Sequence, residues 1–183
     1  MSLCGIDEAG RGCLAGPLVM AGVVLHTPIE GLSDSKKLTA TRREKLYEAI
    51  VATSDYHIVH FEAEAIDTKG LSACLKAGLE TIRSALNADR YLFDGHCTFG
   101  AIGFETLIKA DAQVPQVAAA SILAKVTKDR ALIAAGSDYP EYGFEKHQGY
   151  GTRAHIEAIE RYGLTPLHRK SFRPKALKQG TLF

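Results

Sequence analysis

Three short apolar runs in this chain each stop at an aspartate, and that recurrence constrains the fold more than any other feature. Leu3 to Asp7 is the first, Arg90 to Phe93 runs into Asp94-Gly95, and Glu105 to Lys109 ends just before Asp111. Runs of this length bounded by turn-forming residues read as strands. Open α/β sheets build their sites where strands end on one edge, so the three aspartates are candidates for a common site.

The rest of the chain supplies the other elements of such a sheet. Leu18 to Leu25 and Tyr56 to Phe61 read as further strands. Thr41-Arg42-Arg43-Glu44 has the pattern of a capping box and is followed by Leu46, Tyr47, Ile50 and Val51 at helical spacing, which predicts a helix from about residue 41. Leu75, Leu79, Ile82 and Leu86 form one apolar stripe on a second helix. Pro115 suits the first turn of a long helix that carries Ala119, Ile122, Leu123 and Val126 on one face and stops at Gly136. Residues 137–151 read as a structured loop, and Thr152 caps a helix to about Tyr162. Strands first and βα units later predict an α/β fold, a mixed sheet flanked by helices. With 183 residues, 46% of them hydrophobic, the chain is expected to form one domain over 1–183.

Composition excludes several classes. A mean hydropathy of -0.04 with apolar residues spread throughout fits neither a disordered chain nor a membrane bundle. The run Cys13 to Leu25 is too short to span a bilayer and contains Pro17, and the acidic pair before it suits no secretion signal, so no membrane association and a cytoplasmic location are expected. Cys4, Cys13, Cys74 and Cys97 form no metal or redox spacing and are expected to be reduced. His57 and His60 lie three apart on a strand, hence on opposite faces, and are discounted as a ligand pair. Residues 161–183 carry six basic residues and no acid, so that segment is +6 within a chain of net +1 and the remainder is -5. A basic end beside an acidic body suits a polyanionic partner held near a metal-binding acidic site.

In Gly5-Ile6-Asp7-Glu8-Ala9-Gly10-Arg11-Gly12, adjacent carboxylates leave an apolar strand and enter a turn too rich in glycine for a helix. Adjacent acids on a strand face opposite sides, so Asp7 is the better site candidate and Glu8 has to be brought round by the strand's end or a bulge. The glycine spacing matches neither phosphate-loop fingerprint, and the lysine such a loop needs is missing. Taken alone, the segment is either a sharp turn that needs small residues or part of a site. Asp94 and Asp111 favour the site, because crowded carboxylates repel one another unless a cation neutralises them, and all-oxygen ligands suit Mg2+ or Mn2+. Paired ions of this kind promote phosphodiester hydrolysis.

These residues stand inside longer motifs, and with them the sequence resembles the ribonuclease HII family, the type 2 ribonucleases H. The motifs are GIDEAGRG at 5–12, Asp34-Ser35-Lys36-Lys37-Leu38, Phe93-Asp94-Gly95, Lys109-Ala110-Asp111, AAASILAKVTKDR at 118–130, KHQGYGT at 146–152 and TPLHRKSF at 165–172. The resemblance implies a ribonuclease H-like fold with a small helical C-terminal segment, and a catalytic, metal-binding centre of Asp7, Glu8, Asp94 and Asp111 that uses two divalent ions. It implies an endoribonuclease that cuts RNA/DNA hybrids and incises 5′ of single ribonucleotides in duplex DNA, leaving 3′-hydroxyl and 5′-phosphate ends. It further implies that the backbone of Gly10-Arg11-Gly12 reads the ribose 2′-hydroxyl and that Tyr150 helps recognise the RNA–DNA junction. Cys13 stands where proline is common after the turn, and Ala110 where glycine is common before the last aspartate.

Lys36, Lys146 and Arg169 lie in these motifs and are the leading candidates for phosphate contacts. Asp129 and Arg130 are expected to be structural ions. Gln179 to Phe183 looks like a peptide that docks into a bacterial sliding clamp; the alternative is that Leu182 and Phe183 fold back on the domain. Nothing in the sequence calls for an oligomer, so a monomer is expected.

Overall fold

The structure is a computed structural model, and it describes residues 1–32 and 37–173. Lys36 with its neighbour Asp34, and the peptide Gln179 to Phe183, lie outside the described residues.

The elements run β1 (Leu3–Ala9), β2 (Leu18–Leu25), α1 (Ala40–Thr53), β3 (Ser54–Phe61), α2 (Ala63–Lys69), α3 (Leu71–Ala85), β4 (Arg90–Asp94), β5 (Glu105–Leu107), a 3-10 turn (Ala110–Ala112), α4 (Pro115–Gly136), a second 3-10 turn (Pro140–Tyr142), α5 (Phe144–His147) and α6 (Arg153–Tyr162). The sheet order is β3-β2-β1-β4-β5. β3, β2 and β1 pair antiparallel, while β1, β4 and β5 pair parallel, so the expected mixed sheet is present with β1 at its centre.

Helices cover both faces, which is why β2 is apolar at nearly every position. Leu18, Met20 and Val24 point with Cys4 and Ile6 toward Leu75, Leu79 and Ile82 of α3. Val19, Ala21 and Val23 point the other way, toward Leu46 and Ile50 of α1 and the alanine-rich first half of α4. Small residues set the closeness of that second layer. A Cβ on Gly5 would lie 2.3 Å from the backbone of Gln116 and Val117, so α4 begins directly against β1. Because α4 is enclosed by the sheet and α1, residues 117–124 are buried all round rather than on the one expected face.

Three local expectations need correction. Helix α1 begins at Ala40, close to the expected residue 41, but its cap is Thr39, whose hydroxyl accepts from the Arg42 N–H at 3.2 Å, and Glu44 pairs with Arg130 rather than closing a capping box at Thr41. β5 stops at Leu107, since Lys109 turns into the left-handed region at φ 58 and ends the pairing. Helix α2 was not anticipated; Gly70 at φ 86 separates it from α3.

The C-terminal part packs as a small helical unit. Tyr142, Phe144, Ala158 and Ile159 close over Leu132 of α4 and over Leu14 and Ala15, the residues that follow β1. Among the described residues no helix is long and apolar enough to cross a membrane.

Candidate active site

Parallel pairing of β1 with β4 brings the first two aspartates together. The register matches Ile6 with Phe93, so Asp7 and Asp94 are the next residues on neighbouring strands. Asp111 arrives from the 3-10 turn after β5 and is tied to Asp94. The Asp94 carboxylate accepts the Lys109 N–H at 3.0 Å and the Asp111 N–H at 3.2 Å, with Lys109 in the left-handed conformation that lets the chain reverse. One carboxylate oxygen from each of Asp7, Asp94 and Asp111 lies within 4.8 Å of the others.

Burial and like charge make this cluster unfavourable when fully ionised. Burial, then the nearby Glu8 and Asp94 carboxylates, push Asp7 well above the usual carboxylate range, while the Glu8 N–H (2.8 Å) and the Ser121 hydroxyl bond to it and pull the other way. Glu8 is pushed up to about 7, by burial first and by Asp94, against the pull of Arg11. A divalent cation removes both penalties, and the donor set, oxygen only, fits Mg2+ or Mn2+.

No bulge brings Glu8 round to the side of Asp7, and the strand's end, the other route expected, follows one residue later at Ala9. β1 stays in register through Asp7, Glu8 and Ala9, and Glu8 emerges on the face opposite Asp7, where its Oε1 pairs with Arg11 at 2.7 Å. It is absent from the tight trio but feels the Asp94 charge, because Asp94 ends the adjoining strand beside both residues. Its buried Oε2 has no hydrogen-bond partner among the described residues, a group placed to meet a cation or a water.

The glycine turn adjoins this centre. Gly10 has φ 89, and a side chain there would strike the Pro17 carbonyl, whereas the space beside Gly12 is open. The turn is held from behind. The Arg169 guanidinium, 1% exposed, donates through Nη1 to the Arg11 carbonyl (3.1 Å) and through Nε and Nη2 to the Gly16 carbonyl (3.1 and 2.9 Å). The expectation that Arg169 presents its charge to a phosphate is therefore corrected: the side chain faces inward because three of its N–H groups satisfy buried carbonyls.

Tyr150 stands on the far side of the turn. The Leu14 N–H donates to the Gly149 carbonyl at 2.8 Å, and the Tyr150 hydroxyl bonds with the Cys13 thiol. Burial and Cys13 push that hydroxyl up to about 12, so it stays protonated, while the residue as a whole remains 41% exposed. The Lys128 ammonium lies 4.6 Å from the centre of its ring. Lys128 is buried, bonded to Asp129 and the Gln148 carbonyl, and sequence reasoning missed it; its spacing from Lys125, which also pairs with Asp129, was the available signal. Also missed were Ser121 beside Asp7 and the buried His147, His155 and His168. Lys146 is exposed on α5, and Asp129 and Arg130 form ion pairs as expected.

Known proteins place this arrangement in a family. The chain matches Ribonuclease HII over residues 4–175. It is 60% identical over 181 residues to the ribonuclease HII of Sulfurovum sp. (strain NBC37-1), covering 99% of this chain and 96% of that protein. Its fold is similar to that in the PCNA:RNase HII complex from Archaeoglobus fulgidus, with a TM-score of 0.83 and 27% identity over 96% of both chains. It is also similar to the ribonuclease H2 from Pyrococcus horikoshii OT3, with a TM-score of 0.77 and 28% identity over 97% of this chain and 96% of that one.

Proposed function

The chain belongs to the ribonuclease HII family, a family of metal-dependent ribonucleases, and on that premise we propose that it cuts the RNA strand of RNA/DNA hybrids and incises immediately 5′ of single ribonucleotides embedded in duplex DNA. The ends formed are a 3′-hydroxyl and a 5′-phosphate. The observation that carries this reading is the convergence of Asp7, Asp94 and Asp111 within 4.8 Å beside an open glycine turn.

Asp7, Glu8, Asp94 and Asp111 are the residues that would hold two Mg2+ or Mn2+ ions. Bound there, the ions supply an activated water and neutralise the charge that develops on the leaving oxygen. The chain's own contribution is to fix the carboxylates before substrate arrives. Two backbone N–H groups orient Asp94, and the Ser121 hydroxyl with the Glu8 N–H orients Asp7. The ion pair between Glu8 and Arg11 links the centre to the turn that reads the sugar. At Gly10 and Gly12 the missing side chains let the backbone approach a ribose 2′-hydroxyl, the group by which RNA differs from DNA. Tyr150, part exposed and held by Cys13 and Lys128, offers a ring face to the sugar or base at the junction. Lys146 and Lys36 supply phosphate contacts, while Arg169 braces the turn.

In this reading the protein is a single-domain, cytoplasmic monomer that removes ribonucleotides and RNA primers during DNA replication and repair. Gln179 to Phe183 is its sliding-clamp peptide; a relative from Archaeoglobus fulgidus has been solved with PCNA. Deleting residues 179–183 should abolish clamp binding and leave cleavage intact.

The decisive assay uses duplex DNA with one internal ribonucleotide, with Mg2+ or Mn2+ and with chelator, the cut being mapped to the nucleotide. Metal-dependent incision directly 5′ of the ribonucleotide is expected. Cleavage of long hybrids only would overturn the single-ribonucleotide reading and with it the roles of Gly10-Arg11-Gly12 and Tyr150.

A further inference from the structure

Three buried histidines lie behind Tyr150, away from the carboxylates. His147 and His155 stack with ring centres 4.2 Å apart, and His168 meets His155 with Nε2 to Nε2 at 3.0 Å. Phe144 packs against all three rings. A backbone N–H can only donate and a carbonyl can only accept, so the partners of these rings determine where each proton sits.

The Thr165 N–H donates to His168 Nδ1 at 2.9 Å, which leaves His168 Nε2 carrying the hydrogen. That hydrogen is donated to His155 Nε2, so His155 is protonated on Nδ1 and donates to the Tyr150 carbonyl at 2.9 Å. His147 is set in the same way: the Gly149 N–H donates to its Nδ1 at 3.3 Å, and its Nε2 donates to the Tyr142 carbonyl at 2.8 Å. Every bond in the chain has one donor and one acceptor. Reversing either tautomer of the His155–His168 pair, or protonating either ring, sets hydrogen against hydrogen or lone pair against lone pair.

The relay joins the two segments that flank the glycine turn. At one end it holds the backbone of Tyr150. At the other it holds Thr165 to Arg169, the segment whose Leu167 carbonyl accepts the Gly16 N–H and whose Arg169 braces Arg11 and Gly16. His168 also pairs directly with Ala15 as an isolated antiparallel bridge.

We propose that His155 and His168 are positioning residues whose one-way relay, from the Thr165 N–H to the Tyr150 carbonyl, sets Tyr150 against the Gly10–Gly12 turn and so governs discrimination between a single embedded ribonucleotide and a continuous hybrid. This rests on the reading that Tyr150 recognises the junction. Burial, and for His168 the neighbouring His155, hold both rings down at about 4, so the neutral relay persists at neutral pH.

The test compares kcat/KM on a duplex with one ribonucleotide and on a long RNA/DNA hybrid for His155→Leu, His168→Leu, His155→Asn and Tyr150→Ala. Both leucine variants should lower the ratio of the two values at least tenfold while still cutting the hybrid. His155→Asn, whose amide N–H can replace Nδ1–H toward the Tyr150 carbonyl, should recover most of the ratio. An unchanged ratio in the leucine variants, with a lowered one in Tyr150→Ala, overturns the relay and spares the reading of Tyr150. An unchanged ratio in Tyr150→Ala overturns both. Should the leucine variants fail to fold, long-range proton–nitrogen NMR of the unaltered protein decides: Nδ1–H on His155 with Nε2–H on His168 is expected, and Nε2–H on His155 refutes the relay.

Discussion

Replacing Arg169 by methionine separates two roles that the sequence alone does not. In the fold the guanidinium is enclosed and donates three hydrogen bonds to the carbonyls of Arg11 and Gly16. Methionine fills much of the same space but leaves both carbonyls without these donors, at about 1–3 kcal/mol each. Removing a buried cation returns part of that, since burial already holds the Arg169 pKa below its ordinary value. The net expectation is a loss of about 3 kcal/mol. With a urea dependence of about 2 kcal/mol per molar, the unfolding midpoint falls by about 1.5 M, measured by far-UV circular dichroism. Arg169→Lys keeps the charge but cannot fork to two carbonyls, so it should recover less than half of the loss. The salt dependence of duplex binding should stay unchanged in both variants. A midpoint within about 0.3 M of the original, together with a salt slope reduced by about one, would show that Arg169 contacts a phosphate and that the brace is wrong.

Other expectations follow from the same contacts. Asp94→Asn should lower turnover by about a hundredfold or more while duplex affinity changes by less than about threefold, because binding rests on phosphate contacts; equal losses in filter-binding and cleavage assays would contradict this. Glu8 has its pKa raised from 4.5 to about 7, so in the unfolded chain it loses its proton first, and metal-free stability contributed by this group falls as pH rises between those values. Glu8→Gln should therefore stabilise the chelated protein by about 1–3 kcal/mol above pH 7 and leave it unchanged below about pH 4.5; a constant difference across a thermal-melt pH series would refute it. His155 and His168, lowered from 6.5 to about 4, act in the opposite sense, their contribution being lost as pH falls through that range, and comparison of Glu8→Gln with the unaltered protein cancels them. Gly5→Ala forces a Cβ into the start of α4 and should cost about 3 kcal/mol, lowering the melting temperature by about 6–12 °C; a shift below 2 °C would mean that the helix can retreat freely.

The local elements were largely legible. A continuous apolar run located β2, and proline, glycine and capping threonine punctuation located α4 from Pro115 to Gly136 and the Thr152-capped α6. Aspartates at the ends of apolar runs marked the three residues that the fold unites, because strands that end on one edge of the sheet bring the residues at their exits together. Errors arose at the ends of elements: Thr39 rather than Thr41 caps α1 while Glu44 pairs with Arg130, and the left-handed turn at Lys109 ends β5 early and delivers Asp111 to Asp94.

Periodicity and turn chemistry are properties of neighbouring residues, so the sequence by itself determined the strands, the helices and the carboxylates that end them. Which side chains face each other is a matter of residues far apart in the chain. Arg169 reaches Arg11 across 158 positions, and Lys128 reaches Cys13 across 115. An arginine in a basic segment carries no local sign of whether water, phosphate or a buried carbonyl will receive its hydrogens. Only the tertiary structure decided that Arg169 turns inward and that His155 and His168 share a hydrogen bond, because burial removed water from around these side chains and left protein groups as their partners.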